Sequence, residues 1–391
     1  MIPALMPTYA RLDIAFERGE GVYLYAEDGR RYLDFAAGIA VNVLGHCHPR
    51  LVEALRSQAG TLWHCSNMYR IPAQERLAER LVAATFADTV FFNNSGAEAI
   101  ECGLKMIRKY HDENGAPGRY RVITCAGAFH GRTLATIAAG GQAKHLAGFD
   151  PVVDGFDHVA FGNLDEARAA VRPETAAILV EPVQGEGGIH PASMEYMEGL
   201  RRMADEFGLL LFLDEIQCGM GRTGRLFAHQ WTSIEPDIMA VAKGLAGGFP
   251  IGACLATEKA ARALGAGSHG STFGGNPLAM TVAGAVLDVI LEDGFLDRVE
   301  AIAGVLRQGL EDLVRDHAGV LAGVRGAGLM LGLQCRGDSK DFIARLMRNG
   351  LLAVSAEGNV ARLLPPLIIE DGHVVEALGI IAKTCAEPAD G

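Results

Sequence analysis

Two charged residues stand at the ends of apolar runs: Asp214 after Gly208-Leu-Leu-Leu-Phe-Leu213, and Lys243 after Ile238-Met-Ala-Val-Ala242. Apolar runs of this length, bounded by polar residues or glycine, read as buried parallel strands. Ligands in open α/β sheets collect outside the carboxyl ends of such strands, so both side chains are expected to project into one cleft. A lysine and an aspartate aimed at the same place suit pyridoxal phosphate. The amine can form a Schiff base with the cofactor aldehyde, and a carboxylate facing the pyridine nitrogen keeps the ring an electron sink.

Other residues along the chain could complete such a site. Ser95-Gly-Ala-Glu98 follows the strand-like Thr89-Val-Phe-Phe92 and opens a helix; Ser95 and Glu98 have capping-box spacing. The unpaired N–H groups of Ser95, Gly96 and Ala97 at that helix start can receive a phosphate, although a plain helix cap has the same sequence. Phe129-His-Gly-Arg132 lies just beyond another strand-like run, where an aromatic ring can stack on a cofactor and an arginine can clamp a carboxylate. Glu181-Pro-Val-Gln-Gly-Glu186 places two glutamates five residues apart in a glycine-rich loop. Gln217, three residues after Asp214, offers an amide to a phenolic oxygen, and Ser271-Thr-Phe-Gly-Gly-Asn-Pro277 is a glycine-rich loop with hydroxyls in reach of an anion. His46-Cys-His48 reads as a turn before Pro49, with no second ligand pair at metal-binding spacing, so no metal is expected.

The elements that must position these residues follow from pattern. Strand-like runs at 89–92, 120–125, 176–180, 208–213 and 238–242 alternate with helical segments such as 71–82 and 97–110, which predicts a mainly parallel sheet with helices on both faces. A hairpin-like opening spans Gly21–Tyr25 and Arg31–Phe35. A long amphipathic helix after about 285, a segment near 340–349 and a last β–helix unit suggest a smaller α/β domain, and the tail after Lys383 is expected to fray. The expected division is 1–50 joining the small domain, 51–285 as the large domain and 286–391 as the rest of the small one. Glycine makes up 49 of 391 residues, about one in eight against a usual ~7%, which favours tight turns and close backbone approach to a ligand. The formal charge of −12 and the absence of a basic block argue against nucleic acid or an anionic membrane as partner. Eight scattered cysteines without a C-x-x-C pair and an N-terminus without a signal-like apolar run fit a soluble cytoplasmic protein.

The chain resembles the class III, fold-type I pyridoxal-phosphate aminotransferases over essentially its whole length. The segments that carry the resemblance are Gly45-His-Cys-His-Pro49, Asn94–Glu98, Phe129–Arg132, Glu181–Glu186, Leu213–Gln217, Ala242-Lys-Gly244 and Ser271–Gly275, in the family's order. The resemblance implies a large domain with a mainly parallel seven-stranded sheet, a smaller α/β domain from both termini, and a homodimer with the active site at the interface. It implies that Lys243 binds the cofactor and moves the proton. Asp214 would pair with the pyridine nitrogen, Gln217 with the ring hydroxyl, Phe129 with the ring face, and Ser95, Gly96 and Ala97 with the phosphate, joined by Thr272 from the other subunit. Ser271, Arg132, Arg362 and Glu186 would serve the substrates. Arg132 would take the carboxylate remote from the reacting carbon and Arg362 the α-carboxylate of glutamate or 2-oxoglutarate, with Glu186 covering Arg362 while an ω-amine reacts.

Within the class the greatest similarity is to the acetylornithine branch, through Gly38-Ile-Ala-Val-Asn42, Ser66-Asn67 and Val360-Ala-Arg362-Leu-Leu-Pro-Pro366. Ornithine aminotransferases carry a tyrosine where alignment puts Gly38; the smaller residue leaves room for an acylated amine. N-acetylornithine with 2-oxoglutarate is therefore the expected substrate pair. Succinylornithine, N-succinyl-diaminopimelate, ornithine and 4-aminobutyrate remain alternatives, because one methylene or acyl group is worth only about 1–3 kcal/mol in a pocket. A mutase or racemase on the same scaffold would need no amino acceptor, and a non-enzymatic relative would have no use for the five charged residues.

Overall fold

The computed structural model describes residues 2–387. Its centre is a seven-stranded sheet in the order Thr89–Asn93, Gly252–Ala256, Ile238–Val241, Leu210–Asp214, Thr175–Val180, Arg121–Cys125 and Phe156–Val159. Gly252–Ala256 runs antiparallel to both neighbours and the other pairings are parallel. The five strands expected from sequence are present, with ends shifted by one or two residues. Phe156–Val159 and Gly252–Ala256 were not anticipated: the first is a short edge strand, and the second sits between loops rich in glycine.

Alternation along Leu210–Asp214 explains why its sequence is apolar throughout. Leu210 and Phe212 pack on one face with Ile100, Leu104 and Ile107 of the helix Gly96–Glu113. Leu211 and Leu213 pack on the other with Leu200, Met203 and Ala204 of the helix Met194–Phe207. A strand covered on both sides has no polar face to show. Asp214 continues the 210–212 series, so its side chain emerges on the same face as the helix Gly96–Glu113. Gly208, expected to begin this strand, instead ends the preceding helix in a left-handed conformation, φ 62°, with its N–H on Ala204 O.

Both ends of the chain meet in other sheets. Phe16–Glu20, Tyr23–Ala26 and Arg31–Asp34 form an antiparallel meander, and Leu351–Leu352 adds to Arg31–Asp34 in parallel. Tyr23 and Arg31 reach Glu376 on the C-terminal helix Asp371–Ala386 at 2.7 and 2.6 Å. That helix runs past Lys383, because Thr384 and Cys385 are buried; the rest of the tail expected to fray, 388–391, lies outside the described residues. A further sheet, in the order Leu321–Ala327, Met330–Cys335, Val360–Leu363 and Val354–Ala356, carries Arg362. The helical stretch expected after 285 is two helices, Pro277–Ile290 and Phe295–Asp316, separated at Gly294 with φ 77°.

Close helix-to-sheet packing depends on one glycine. A Cβ at Gly103, inside the helix Gly96–Glu113, would stand 2.3 Å from Cε1 of the fully buried Phe212. Glycine to alanine in a helix ordinarily gains about 1 kcal/mol. Here overpacking reverses the sign: Gly103→Ala is expected to destabilise by about 1–3 kcal/mol in urea denaturation. Gly304→Ala, in a helix with open space around it, should instead stabilise by about 0.5–1 kcal/mol.

Candidate active site

Lys243 and Asp214 line one cavity of about 290 Å³ at the carboxyl ends of their strands. Ala240 is the register partner of Asp214, which sets the two residues on adjacent strands three positions apart. Lys243 opens a short turn with φ 41°, a left-handed value that aims its side chain back into the cleft. Its Nζ has no hydrogen-bond or ion-pair partner among the described residues. Removal from water pushes its pKa down to about 8, and the Arg362 charge adds to the fall, against opposing carboxylates at 186, 214 and 181.

Asp214 is held at both oxygens. Oδ1 accepts the Ile216 N–H at 3.0 Å, and Oδ2 lies 2.7 Å from His130 Nδ1. His130 is buried, and its Nε2 has no partner. Burial opposes a charged imidazole, but the hydrogen bond and charge of Asp214 outweigh it and hold His130 above its ordinary pKa. A carboxylate pinned in this way presents a fixed negative charge to the cavity.

The helix Gly96–Glu113 points its N-terminus into the same cavity. Ser95 caps it, accepting the Glu98 N–H at 3.2 Å. The reciprocal half of the expected capping box is displaced by one residue, since Glu98 accepts from the N–H and side-chain amide of Asn94 at 2.7 and 2.9 Å. Gly96 and Ala97, in the first turn, have no intrahelical acceptor for their N–H groups. Close packing there requires glycine: a Cβ at Gly96 would meet Ile216 at 2.8 Å, and one at Gly252 would meet Ser95 O at 2.3 Å. Across the cavity stand Phe129 and Gln217. Gln217 Oε1 accepts from Arg362 Nη1 at 2.9 Å, leaving its amide N–H₂ to donate elsewhere.

Arg362 has a side chain only 2% exposed, and it makes an ion pair with the 26% exposed Glu186, Nη2 to Oε1 at 2.7 Å. Ser355 O accepts from the same Nη2 at 3.2 Å, and Nε is buried without a partner. The Glu186 carbonyl receives the Glu357 N–H at 2.9 Å, which ties the 181–189 loop to the hairpin that carries Arg362. Arg132 is exposed, with its guanidinium carbon 5.5 Å from the Phe129 ring centre and no ion pair among the described residues. Ser271 accepts from Asn94 Nδ2 at 3.1 Å and the Gly274 N–H at 2.9 Å, and Thr272 is exposed; neither lines the cavity within this chain.

Sequence reasoning missed three contributors. Ala37, Gly38, Ile39 and Ala40 all have positive φ, a left-handed turn that delivers Val41 to the cavity wall. Left-handed backbone costs roughly 1–2 kcal/mol for each non-glycine residue. Buried Asp34 offsets it, with Oδ1 accepting the N–H groups of Ala36 and Ala37 at 3.0 and 2.8 Å and Oδ2 bonded to His46 Nε2 at 2.8 Å. His130 was quoted within its motif but given no part. Phe249, Pro250 and Ile251 also line the cavity, and the signal for them was readable in Gly247-Gly248 just after Lys243.

A phosphate-bearing pyridine aldehyde asks for an uncommitted amine, a fixed anion, a cradle of free N–H groups and a flat apolar wall. Lys243, Asp214, the start of the helix Gly96–Glu113 and Phe129 meet those demands in one cavity. Residues 6–385 match the family model for Aminotransferase class-III. The chain belongs to the class-III aminotransferases, which are pyridoxal-phosphate enzymes. It is 59% identical over 387 residues to the acetylornithine aminotransferase of Mesorhizobium japonicum, covering 99% of this chain and 97% of the relative. It is also 59% identical over 374 residues to that of Brucella melitensis, covering 96% and 93%. Among solved structures, the N-acetylornithine aminotransferase of Stenotrophomonas maltophilia is 39% identical with a TM-score of 0.85, each chain 97% covered. The ornithine aminotransferase of Toxoplasma gondii is 32% identical with a TM-score of 0.94, over 98% of this chain and 92% of that one.

The depressed lysine gives a test. In the cofactor-free protein, Lys243 should be half neutral near pH 8, whereas exposed lysines stay charged there. Competitive acylation followed by peptide mass spectrometry is expected to label Lys243 ahead of the other lysines, with a midpoint near that pH. A midpoint at the ordinary lysine value would contradict the electrostatic account.

Proposed function

We propose that this enzyme transfers the ω-amino group of N-acetylornithine to 2-oxoglutarate, giving N-acetylglutamate semialdehyde and glutamate. The observation that carries the reading is the contrast between two arginines: Arg362 is neutralised by Glu186, and Arg132, next to the cavity-lining Gly131, is exposed with no ion pair among the described residues. A donor whose reacting carbon bears no carboxylate needs one free arginine, for its remote carboxylate, and no second one beside the reacting carbon. An acceptor with two carboxylates needs both. The full-length similarity to acetylornithine aminotransferases supports the donor, as does the absence of a side chain at Gly38.

Pyridoxal phosphate, when bound, supplies the aldehyde that carries the amino group and a ring that takes up an electron pair. Ser95, Gly96 and Ala97 would hold its phosphate, Phe129 would cover its ring, Gln217 would donate to its phenolic oxygen, and Asp214 would keep its nitrogen protonated. Lys243 Nζ takes the proton from the carbon bearing the amine; a pKa near 8 leaves it able to accept and to return that proton close to neutral pH. Arg132 would bind the remote carboxylate and so help to orient the reacting carbon toward Lys243. Glu186 stays on Arg362 for the donor and leaves it for the α-carboxylate of the acceptor.

We propose further that the active unit is a homodimer. Thr272 is exposed in this chain beside Phe273, Trp63 and Met68, which are 61%, 65% and 86% exposed. Asn67 ties the two segments together through Ser271 O and Gly274 O. An apolar patch of this kind on the loop assigned to the phosphate suits coverage by a second copy, which would place Thr272 at the partner's cofactor. Residues 51–285 would then form the large domain, with 1–50 and 286–391 forming the small one, joined through the pairing of Leu351–Leu352 with Arg31–Asp34. No helix among the described residues is long and apolar enough to cross a membrane, and all eight cysteines are free, which suits a cytoplasmic enzyme.

Single half-reactions of the holoenzyme test the donor. N-acetylornithine should bleach the cofactor band faster than ornithine or 4-aminobutyrate, with succinylornithine second, and 2-oxoglutarate should restore it. Faster reaction of 4-aminobutyrate or free ornithine would overturn the donor assignment. Glu186→Ala is expected to shift the ratio of glutamate to N-acetylornithine half-reaction rates toward glutamate by about tenfold, or ~1.4 kcal/mol. An unchanged ratio would remove the gate.

A further inference from the structure

The loop Glu181–Gly188 has two glutamates, and only Glu186 has a part in substrate exchange. Glu181 is 6% exposed at the end of the strand Thr175–Val180, and no cation makes an ion pair with it among the described residues. Each of its oxygens instead takes a backbone N–H from a different wall of the site: Phe129 N–H on Oε2 at 3.2 Å, and Gly185 N–H on Oε1 at 3.3 Å. The first amide belongs to the residue that covers the cofactor face, and the second directly precedes Glu186. We propose that Glu181 is a positioning residue that holds the Phe129 wall and the Glu186 loop in register through this pair of hydrogen bonds, and that its protonation loosens the link. The inference rests on the reading of this cleft as the reacting site.

The chemistry of a carboxyl group makes the link conditional. An ionised carboxylate accepts both N–H groups with charge assistance; a protonated one keeps a single full acceptor, because its other oxygen has become a donor. The groups that face Glu181 are His130 from the loop beyond Arg121–Cys125, Asp214 at the end of Leu210–Asp214, Lys243 beyond Ile238–Val241, and the thiols of Cys125 and Cys218. Burial pushes Glu181 up to about 7, with His130 pulling it back and Asp214 pushing it further. The two-sided link is therefore complete above neutral pH and weakened below it. Gly185 adjoins Glu186 in the loop, so the same carboxylate relates the proposed gate to the Phe129 wall.

Amide NMR of the cofactor-free protein, with selectively ¹⁵N-labelled phenylalanine and glycine, tests this without turnover. The Phe129 and Gly185 amide protons should shift together with a single midpoint near pH 7, and the shift should vanish in Glu181→Gln. In the holoenzyme, Glu181→Gln should lower the maximal donor half-reaction rate severalfold with little change in donor affinity, and the rate should lose its dependence on an ionisation near neutral pH. Amides that do not titrate, that titrate at different midpoints, or that still titrate in Glu181→Gln would overturn the proposal; the last outcome would assign the proton to His130. Should the variant fail to fold, the ¹³Cδ shift of Glu181 in the wild-type protein decides in its place: it should titrate with the midpoint of the two amides, and a carboxyl shift that does not follow them would overturn the proposal. Neither donor nor acceptor is present in the NMR experiment, so an error in the donor assignment leaves its result unchanged.

Discussion

A guanidinium buried as fully as that of Arg362 has to meet its counter-charge inside the protein, and much of the site is arranged around that requirement. Removing one partner of a buried ion pair typically costs about 3–5 kcal/mol, because the other is left charged and dry. Glu186 supplies the charge, while Gln217 and Ser355 accept two of the remaining N–H groups. Those partners come from a loop after one strand of the large sheet, from the turn after Asp214, and from the hairpin of Arg362 itself. One cation thereby brings together three parts of the chain that are distant in sequence, and its unbonded Nε records that the arrangement is not saturated.

The same economy of charge governs the rest of the cleft. Asp214 is held beneath the sheet's edge by His130 and the Ile216 N–H. Lys243 has no such partner; removal from water, helped by the Arg362 charge, lowers its pKa to about 8, where an amine can exchange a proton. A helix N-terminus on the same face provides positive potential without a titratable group. An uncommitted amine, a held carboxylate and a helix start meet in one cavity because two strand ends and one helix N-terminus are placed there. The proposed donor specificity rests on something smaller, the contrast between the exposed Arg132 and the covered Arg362.

Much of this was readable because it follows from periodicity. Apolar runs with polar ends located the strands of the parallel sheet, and Asp214 and Lys243 announced themselves as the first charged residues after two of them. The order of motifs then located Arg132, Glu186 and Arg362, and the family resemblance already implied that Glu186 covers Arg362. What was not legible depends on contacts without a local signature. The left-handed turn at Ala37–Ala40 uses alanine and isoleucine, which give no hint of positive φ, and is held by Asp34 through tertiary geometry. His130 reads like a core histidine until Asp214 is placed 2.7 Å from it. The antiparallel strand Gly252–Ala256 is as apolar as its parallel neighbours, so composition could not reveal its direction. Gly208 was misread because a glycine after a helix and a glycine before a strand look alike in sequence.

The proposed exchange of Glu186 for a substrate carboxylate on Arg362 is the centre of this account, and two crystal structures of the holoenzyme address it most directly. One would contain an unreactive N-acetylornithine analogue, and the other the amino-loaded enzyme with 2-oxoglutarate. The account predicts the 2.7 Å Arg362–Glu186 pair intact in the first and replaced by the α-carboxylate in the second. A pair that stays closed in both, with the α-carboxylate bound elsewhere, would contradict it.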